Sequence, residues 1–600
     1  MSKSSSGIKL RVPHQDLDAP SAFDANEQAL AGWINALPKA NIGQTTRLLY
    51  QAIAELNRTR LLPEKRLTLL EMLRPHLHLV CRSLSKHFLN QPIVIPEQAA
   101  RVAKLAHTLN QQLAEGYNIV SAQVAAMGLR TGARHPDDTV ALALQRAITE
   151  YSLINVRHFQ LYEQEGEPEW RTLNQLLKLA IQKRVLRKPV ADSEYGEVSV
   201  EAAYLRAALI HCAKPNQLRQ EDIMAMFRPL AHWTSLCSIS GADDGSLFAV
   251  DPDAAAPPVY RELVASVVDD NWLGINTRGL THHLKSLRDN SGSQMQVHDG
   301  HHAISTDLLG HLILAWSRMS KRVFMRMESD EALELSLGLS NTHHFISGGM
   351  TLEALTSERG ARTFSLQQEN PFLRSNQQVQ VHRPKDVWDS AYDTNVGQTK
   401  ISLESIDYYI KRNEEQAAAA DAGKSKYRSH HVRTINSSSH GYCIEWPSDL
   451  IEQVKAGEII GIRNENQRVW SIGVIRWVNR DTESHIQIGI ELLSPSASPY
   501  GARVVQKVGE LPDFSRVLVL PEAPALKRPY TLLTPRLPFK EGQKVMLNQR
   551  GKELQIVLTK KLNETGAYNL FEFQKSGKFG TGITPSSQDG DSFDSLWSSL

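Results

Sequence analysis

Cysteine is scarce. The four in 600 residues, Cys81, Cys212, Cys237 and Cys443, show no Cys-x-x-Cys spacing and therefore no disulfide framework or zinc ribbon. They read as reduced thiols in a cytoplasmic protein. No run of about 18 apolar residues occurs, and Met1 to Pro13 holds no apolar stretch of signal-peptide length, so no membrane insertion is expected. Neither sign of charge prevails: 67 Lys plus Arg face 65 Asp plus Glu, for a net +2. That removes the general positive field with which nucleic-acid binders hold phosphate, so no DNA partner is expected and any anion site must be a local cluster. Also missing are the Gly-x-x-x-x-Gly-Lys-Ser/Thr phosphate loop, a Gly-x-Gly-x-x-Gly after a strand, and a Gly-x-Ser-x-Gly elbow. No enzyme is expected, and no catalytic residue is assigned.

The chain does have enough apolar residue, 41%, for roughly three or four domains. Residues 1–21 read as a flexible N-terminus, and from 22 to 232 apolar residues recur at spacings of three and four. Val140, Leu142, Leu144, Ala147, Ile148, Tyr151 and Ile154 are an example. This is helical patterning, cut by Asn41, Pro63, Pro96, Pro136 and Pro168 into seven to ten helices. No fixed period marks a named repeat. Such a region is either a platform for a protein partner or a support for the neighbouring domain. From 233 to 311 the pattern is mixed α/β, with strand-like Leu236–Ile239 and Leu247–Val250 and a helix-like stretch at Tyr260–Val268. A small degenerate barrel is one reading of it.

Beyond residue 330 the period changes to two. Leu333, Leu335, Leu337 and Leu339 alternate with Glu334, Ser336, Gly338 and Ser340, the signature of a half-buried strand over 332–340. Tyr442, Ile444 and Trp446 alternate with Cys443 and Glu445, and Ile486, Ile488 and Ile490 with Gln487 and Gly489. Further strands are expected at Glu458–Arg463 and Val469–Val478, and turns such as Asn464–Gln467 between short strands suggest a small antiparallel barrel. Two polar features flank this series. Upstream, Arg318 and Arg322 stand four residues apart. A guanidinium gives paired donors to a phosphate or to the O6/N7 edge of guanine, about 1–3 kcal/mol per bidentate contact, and its flat face stacks on a base. Within the series lies Asn436-Ser-Ser-Ser-His-Gly441, read as a loop. Asn436 donates and accepts, Ser438 does either, and Gly441 permits φ > 0 or close ligand approach.

The order Arg-x-x-x-Arg, strand, Asn-x-Ser-x-x-Gly, strands resembles the PilZ domain, a bacterial receptor for cyclic di-GMP. The match runs through Arg318 and Arg322, then Asn436, Ser438 and Gly441, then Gly473-Val-Ile-Arg-Trp477 and Gln487-Ile-Gly-Ile-Glu491. With the patterning on either side of it, this gives an α+β multidomain chain: an all-α helical N-terminal region, a small antiparallel PilZ-like barrel, and a further C-terminal β domain. The resemblance implies cyclic di-GMP as ligand, bound by Arg318, Arg322, Asn436, Ser438 and Gly441, with no cofactor and no metal. The mechanism it suggests is ordering of residues near 312–326 when ligand binds. Large PilZ-containing effectors of pseudomonads act in type IV pilus assembly and surface motility. By that likeness a protein partner in such machinery is expected on the helical region, with recruitment to the cell pole.

The expected domains are thus the helical 22–232, the mixed 233–311, and a PilZ-like barrel at 312–510 carrying an insertion at 347–427. A small β domain comes next at 511–576, with strands at Val517–Leu520, Tyr530–Leu533, Lys544–Leu547, Leu554–Leu558 and Tyr568–Phe573, then a flexible tail at 577–600. The insertion departs from the usual short spacing between the two motifs, but closing a long loop costs little more than closing a short one. Arg428 and Arg433 offer another basic lead-in without the four-residue spacing. Two other classes remain. One is a non-enzymatic scaffold whose degenerate PilZ barrel binds no nucleotide. The other is a single-strand nucleic-acid binder, for which Trp470, Arg476 and Trp477 give a thin set of stacking platforms. The histidine doublets at 282–283, 301–302, 343–344 and 430–431 suggest metal by type only, because neighbours on a strand face opposite ways.

Overall fold

A computed structural model of the chain describes residues 8, 10, 12–127, 136–164, 166–193, 195–243, 245–290, 296–299, 302–319, 325–357, 427–450, 452–464, 467–481, 485–506, 512–522 and 528–576. Arg322, His301, most of the 347–427 segment and the tail 577–600 lie outside these. The chain forms two compact units. The first holds the helical region and the strands of the sheet and ring C-terminal to it; the second holds the C-terminal strands.

Among the described residues, nine α-helices occupy 27–233. Their starts obey capping chemistry: the Asn26 and Asn41 side chains accept from Ala29 N and Gln44 N, Ser199 accepts from Ala202 N, and Pro63 opens the 26-residue helix Pro63–Phe88. The helix Pro136–Gln160 runs through the middle with most of its residues buried, polar ones included. Its Glu150 is wholly buried and answers Arg74, His78 and Asn110 at 3.3, 2.7 and 2.8 Å. Burial alone would raise the Glu150 carboxyl, but His78, Arg74 and the Asn110 amide outweigh it and hold the group at about 2.

The mixed region is an open sheet. Ser238–Gly241, Leu273–Asn276, Phe248–Val250 and Val259–Tyr260 lie in that order, all antiparallel. Its Ile239, Phe248 and Ile275 share one core with the helices, and its four strands stay open rather than closing into a barrel. The helix-like stretch at 260–268 is reduced to a single short 3-10 turn, Arg261–Val264. The helix Thr306–Ser317, capped by Ser305, is held there by Trp316 Nε1 donating to Leu209 O at 3.1 Å and Tyr260 Oη to Ala315 O at 2.8 Å. Residues 312–317, expected to be part of a lead-in that orders on binding, are thus already helical.

The next strands along the chain are β1 (Met327–Glu328), β2 (Ala332–Leu337), β3 (His430–Ser438), β4 (Gly441–Trp446), β5 (Ile459–Asn464), β6 (Ser471–Arg480) and β7 (Ile486–Ser494). Their order is β2-β5-β6-β7-β4-β3, and pairing of β2 with β3 closes the ring. β1 takes the rest of the free edge of β3. β2 stops at Leu337 rather than running to 340 because Gly338 turns to φ +80° and opens the helix Gly338–Ile346. The barrel core of Leu333, Leu335, Ile444, Trp446, Ile475 and Ile488 also takes in Ile93 and Tyr162 from the helical region. Backbone and charge contacts fasten the two. Ile93 N donates to Glu452 O (3.0 Å), Arg480 N to Tyr162 O (2.7 Å) and Gln453 Nε2 to Asn90 O (2.9 Å), and Arg480 forms an ion pair with Glu163.

The second unit contains β8 (Ser498–Val504), β9 (Ser515–Leu520), β10 (Thr531–Pro535), β11 (Lys544–Gln549), β12 (Lys552–Glu564) and β13 (Tyr568–Lys575), a closed barrel in the order β8-β9-β10-β13-β12-β11. β8 bonds to β9 and β11, so the stretch before residue 510 belongs to this barrel and not to the first. Its sequence, Ser-Pro-Tyr-Gly-Ala-Arg-Val, hides it, because proline and glycine argue against a strand.

Candidate nucleotide-binding cleft

Asn436-Ser-Ser-Ser-His-Gly441 is a hairpin and not an irregular loop. Asn436 to Ser438 complete β3, Ser439 and His440 turn, and Gly441 starts β4, paired with Ser438. Asn436 and Ser438, two apart on one strand, share a face. Gly441 is required for room, not for φ: a Cβ there would fall 2.0 Å from the Ile490 carbonyl oxygen on β7.

β1 meets this hairpin from the other edge. Glu328 pairs with Asn436 and Met327 with Ser437, so the next step in register sets Arg326 opposite Ser438. Arg326, Ser438, His440, Gly441, Tyr442, Arg476 and Trp477 then line one cleft of about 210 Å³. The barrel surface therefore gathers the serine-glycine motif and an arginine of the lead-in within a single site.

How two successive residues of β6 come to line it is a matter of a bulge. Ile475 pairs with Ile490 and Trp477 with Gly489, which leaves Arg476 as an extra residue. A bulge breaks the alternation of faces, and so Arg476 and Trp477 both lie outward while Ile475 and Val478 stay buried. Glu491 accepts from Arg476 Nε at 2.6 Å and sets the direction of the guanidinium. With both side chains well exposed, the pair is worth little by itself, about 0–1 kcal/mol. Trp477 lies over Gly489, where a Cβ would fall 2.0 Å from its Nε1, and the Arg326 guanidinium sits 6.0 Å from its ring centroid. Burial pushes the Tyr442 phenol above its ordinary range, so it enters the site as a neutral hydroxyl. The cleft thus offers two guanidiniums, an aromatic face and hydroxyls, a set that suits a phosphate attached to a flat base.

The sequence-derived residues divide. Ser438 and Gly441 line the cleft, and Asn436 is half-buried on the same strand beside β1. Arg318 caps the helix Thr306–Ser317, exposed and outside the cleft lining. Arg326, Arg476, Trp477 and Tyr442 line the cleft without having been among the ligand residues expected from the sequence. The first had a signal: Arg322-Val-Phe-Met-Arg326 repeats the spacing of Arg318 and Arg322 and ends next to β1. The bulge that presents Arg476 has no sequence mark of its own. Among the described residues no three of His, Cys, Asp and Glu are grouped to hold a metal ion, and no helix is long and apolar enough to cross a membrane.

Comparisons with known proteins agree along the chain. The family model described as cyclic-di-GMP receptor FimW, N-terminal domain, matches residues 28–244. The middle PilZ domain of the same receptor matches 247–499, and the FimW C-terminal beta-barrel domain matches 500–576. A relative from Pseudomonas aeruginosa, "Cyclic-di-GMP receptor FimW", is 33% identical over 628 residues, spanning 100% of both chains. No solved structure matches.

Proposed function

We propose a function from one premise: the chain belongs to the FimW family of cyclic-di-GMP receptors. The proposal is that it binds cyclic di-GMP in the cleft between β1, the β3–β4 hairpin and β6, and passes the occupancy on to a protein partner. The observation that carries this is the register that sets Arg326 opposite Ser438, with Arg476 and Trp477 beside them. In this reading Arg326 and Arg476 hold phosphate oxygens or guanine edges and Trp477 stacks on a base. Ser438 and Asn436 give hydrogen bonds from β3, and Gly441 keeps the hairpin close. Arg318 and Arg322, the ligand arginines expected from the sequence, precede Arg326 at four-residue steps along the chain.

The route outward is β6 itself. Arg476 and Trp477 lie in the cleft, and Arg480, on the same strand, is bonded to Tyr162 and Glu163 of the helical region. A ligand that shifts β6 acts on that fastening, and can bias the helical region only as far as its affinity differs between the two states. The partner we place in motility or type IV pilus machinery, on the family likeness read from the sequence.

The test is calorimetric titration with cyclic di-GMP, with GTP and cyclic di-AMP as controls. Saturable binding selective for the guanine dinucleotide, weakened by Arg326→Ala and by Ser438→Ala, is the expected result. A folded protein that gives no heat would leave the scaffold without nucleotide as the better reading.

A further inference from the structure

The helical region contains a second cavity, of about 420 Å³, among the helices Pro63–Phe88, Pro136–Gln160 and Gln220–Phe227. Its size falls in the range of small-molecule sites, roughly 300–1,000 Å³. Neutral polar residues such as Ser85, Thr149 and Gln160 line part of it, and two other groups matter more here. Phe88, Leu153, Val156 and Phe227 form an apolar body, while Arg82, Lys86, Arg157 and Arg228 supply cations. Arg74 and His78 also line it, but Glu150 answers both. Arg82, Lys86 and Arg228 are exposed and form no ion pair with a described carboxylate. The one lining carboxylate among the described residues, Glu221, is exposed and lies 3.8 Å from Arg219.

Arg157 decides the chemistry. It is only 9% exposed. One of its terminal nitrogens donates to Asn110 Oδ1 at 2.7 Å, and the other has no acceptor among the described residues. Burial lowers its pKa against the opposing pull of Cys81, Glu150 and Glu163, none of which bonds to it, and the guanidinium keeps its charge at neutral pH. A buried charge with a bare donor is costly unless an anion meets it. Here the donor belongs to a cavity lined also by those exposed cations and by apolar side chains.

We infer that this cavity binds a small amphipathic anion, a carboxylate or phosphate headgroup carried on an apolar body. The headgroup accepts from Arg157, the body lies among Phe88, Leu153, Val156 and Phe227, and Arg82, Lys86 and Arg228 draw the anion to the mouth. Nothing in this depends on the cyclic-di-GMP cleft, so the two readings stand or fall separately.

Octanoate and octyl phosphate serve as probes, with 1-octanol as the neutral control, titrated calorimetrically into the full-length protein. One-to-one binding of at least one anion is expected, about tenfold or more tighter than 1-octanol, since a charge-assisted bond is lost in the alcohol. The preferred anion separates a carboxylate from a phosphate ligand. Arg157→Met should weaken that anion by about tenfold or more and leave 1-octanol unchanged. Should that variant fold poorly by thermal melt, the exposed pair Arg82→Gln with Lys86→Gln takes its place, with a loss of about threefold and a loss of salt dependence. Equal affinity for 1-octanol, no binding of either anion, or wild-type affinity in the folded variants would overturn the inference.

Discussion

The two barrels share a plan and differ in what is attached to it. Each is a ring of six antiparallel strands around an aliphatic and aromatic core. The second fills that core from its own residues, among them Val517, Leu532, Ile556 and Phe571. The first borrows Ile93 and Tyr162 from the helical region and carries a seventh strand on the edge of β3; both barrels have bulges, and one of the first's, at Arg476, shares a cleft with His440 of the β3–β4 turn. The comparison teaches that the ring is only a frame. The candidate site comes from a two-residue strand and one extra residue, neither of which the ring requires.

The sharpest way to test that division is to damage the frame without the site. Phe571→Ala should cost the second unit about 3–5 kcal/mol, seen as a lowered transition in calorimetric melting, while cyclic di-GMP affinity stays as in the wild type. A fall in affinity would mean that the second barrel takes part in binding. Next comes the fastening. Arg480 is nearly buried, and Glu163→Gln takes away its charge partner at about 2–3 kcal/mol, less than a fully enclosed pair because Glu163 keeps some solvent. Hydrogen exchange should then rise at the contact between β6 and residues 160–163 and stay flat in β8–β13.

Arg326→Ala should cost about 2 kcal/mol of cyclic di-GMP affinity, roughly thirtyfold, with the melting profile unchanged. The same substitution at Arg318 should cost less, because Arg318 lies outside the cleft lining. The smallest effect is on pH. Burial holds His343, in the second unit, down at about 4, with help from Arg516 and against its bond to Tyr500 O. The folded histidine stays neutral where the unfolded one already takes a proton. Its contribution is therefore complete above about pH 6.5 and is lost as pH falls toward 4. The transition of the second unit should shift accordingly, and His343→Gln should flatten the shift.

Much of the fold could be read in advance because its signals are local. The spacing of Val140 to Ile154 marks a helix, and Ile486-Gln-Ile-Gly-Ile marks a strand facing a core. That Ser438 and Gly441 would lie side by side could be read because a hairpin turn compresses its chemistry into a few neighbouring letters. The place of Arg326 could not, although its spacing was plain, since only cross-strand register decides which of three arginines stands opposite Ser438. Arg476 and Trp477 were weighed as nucleic-acid platforms and not as ligand contacts, because a bulge is a property of two strands together and leaves no mark in one. β8 was lost for the opposite reason, its Pro and Gly speaking against a strand that its neighbours nonetheless hold.

The closure of β2 on β3 sets an order of assembly. Asp330 and Arg433, ion-paired across that seam, are 103 residues apart in sequence. At a synthesis rate of about 5–20 residues per second, the partner of β2 emerges several seconds later at least. The helical region, whose helices pack on near neighbours, is complete well before then, and its Ile93 and Tyr162 already wait as part of the barrel's core. The sensing barrel is thus built onto a finished surface, and a nascent chain halted between β2 and β3 would expose a half-made core that only the remaining strands can cover.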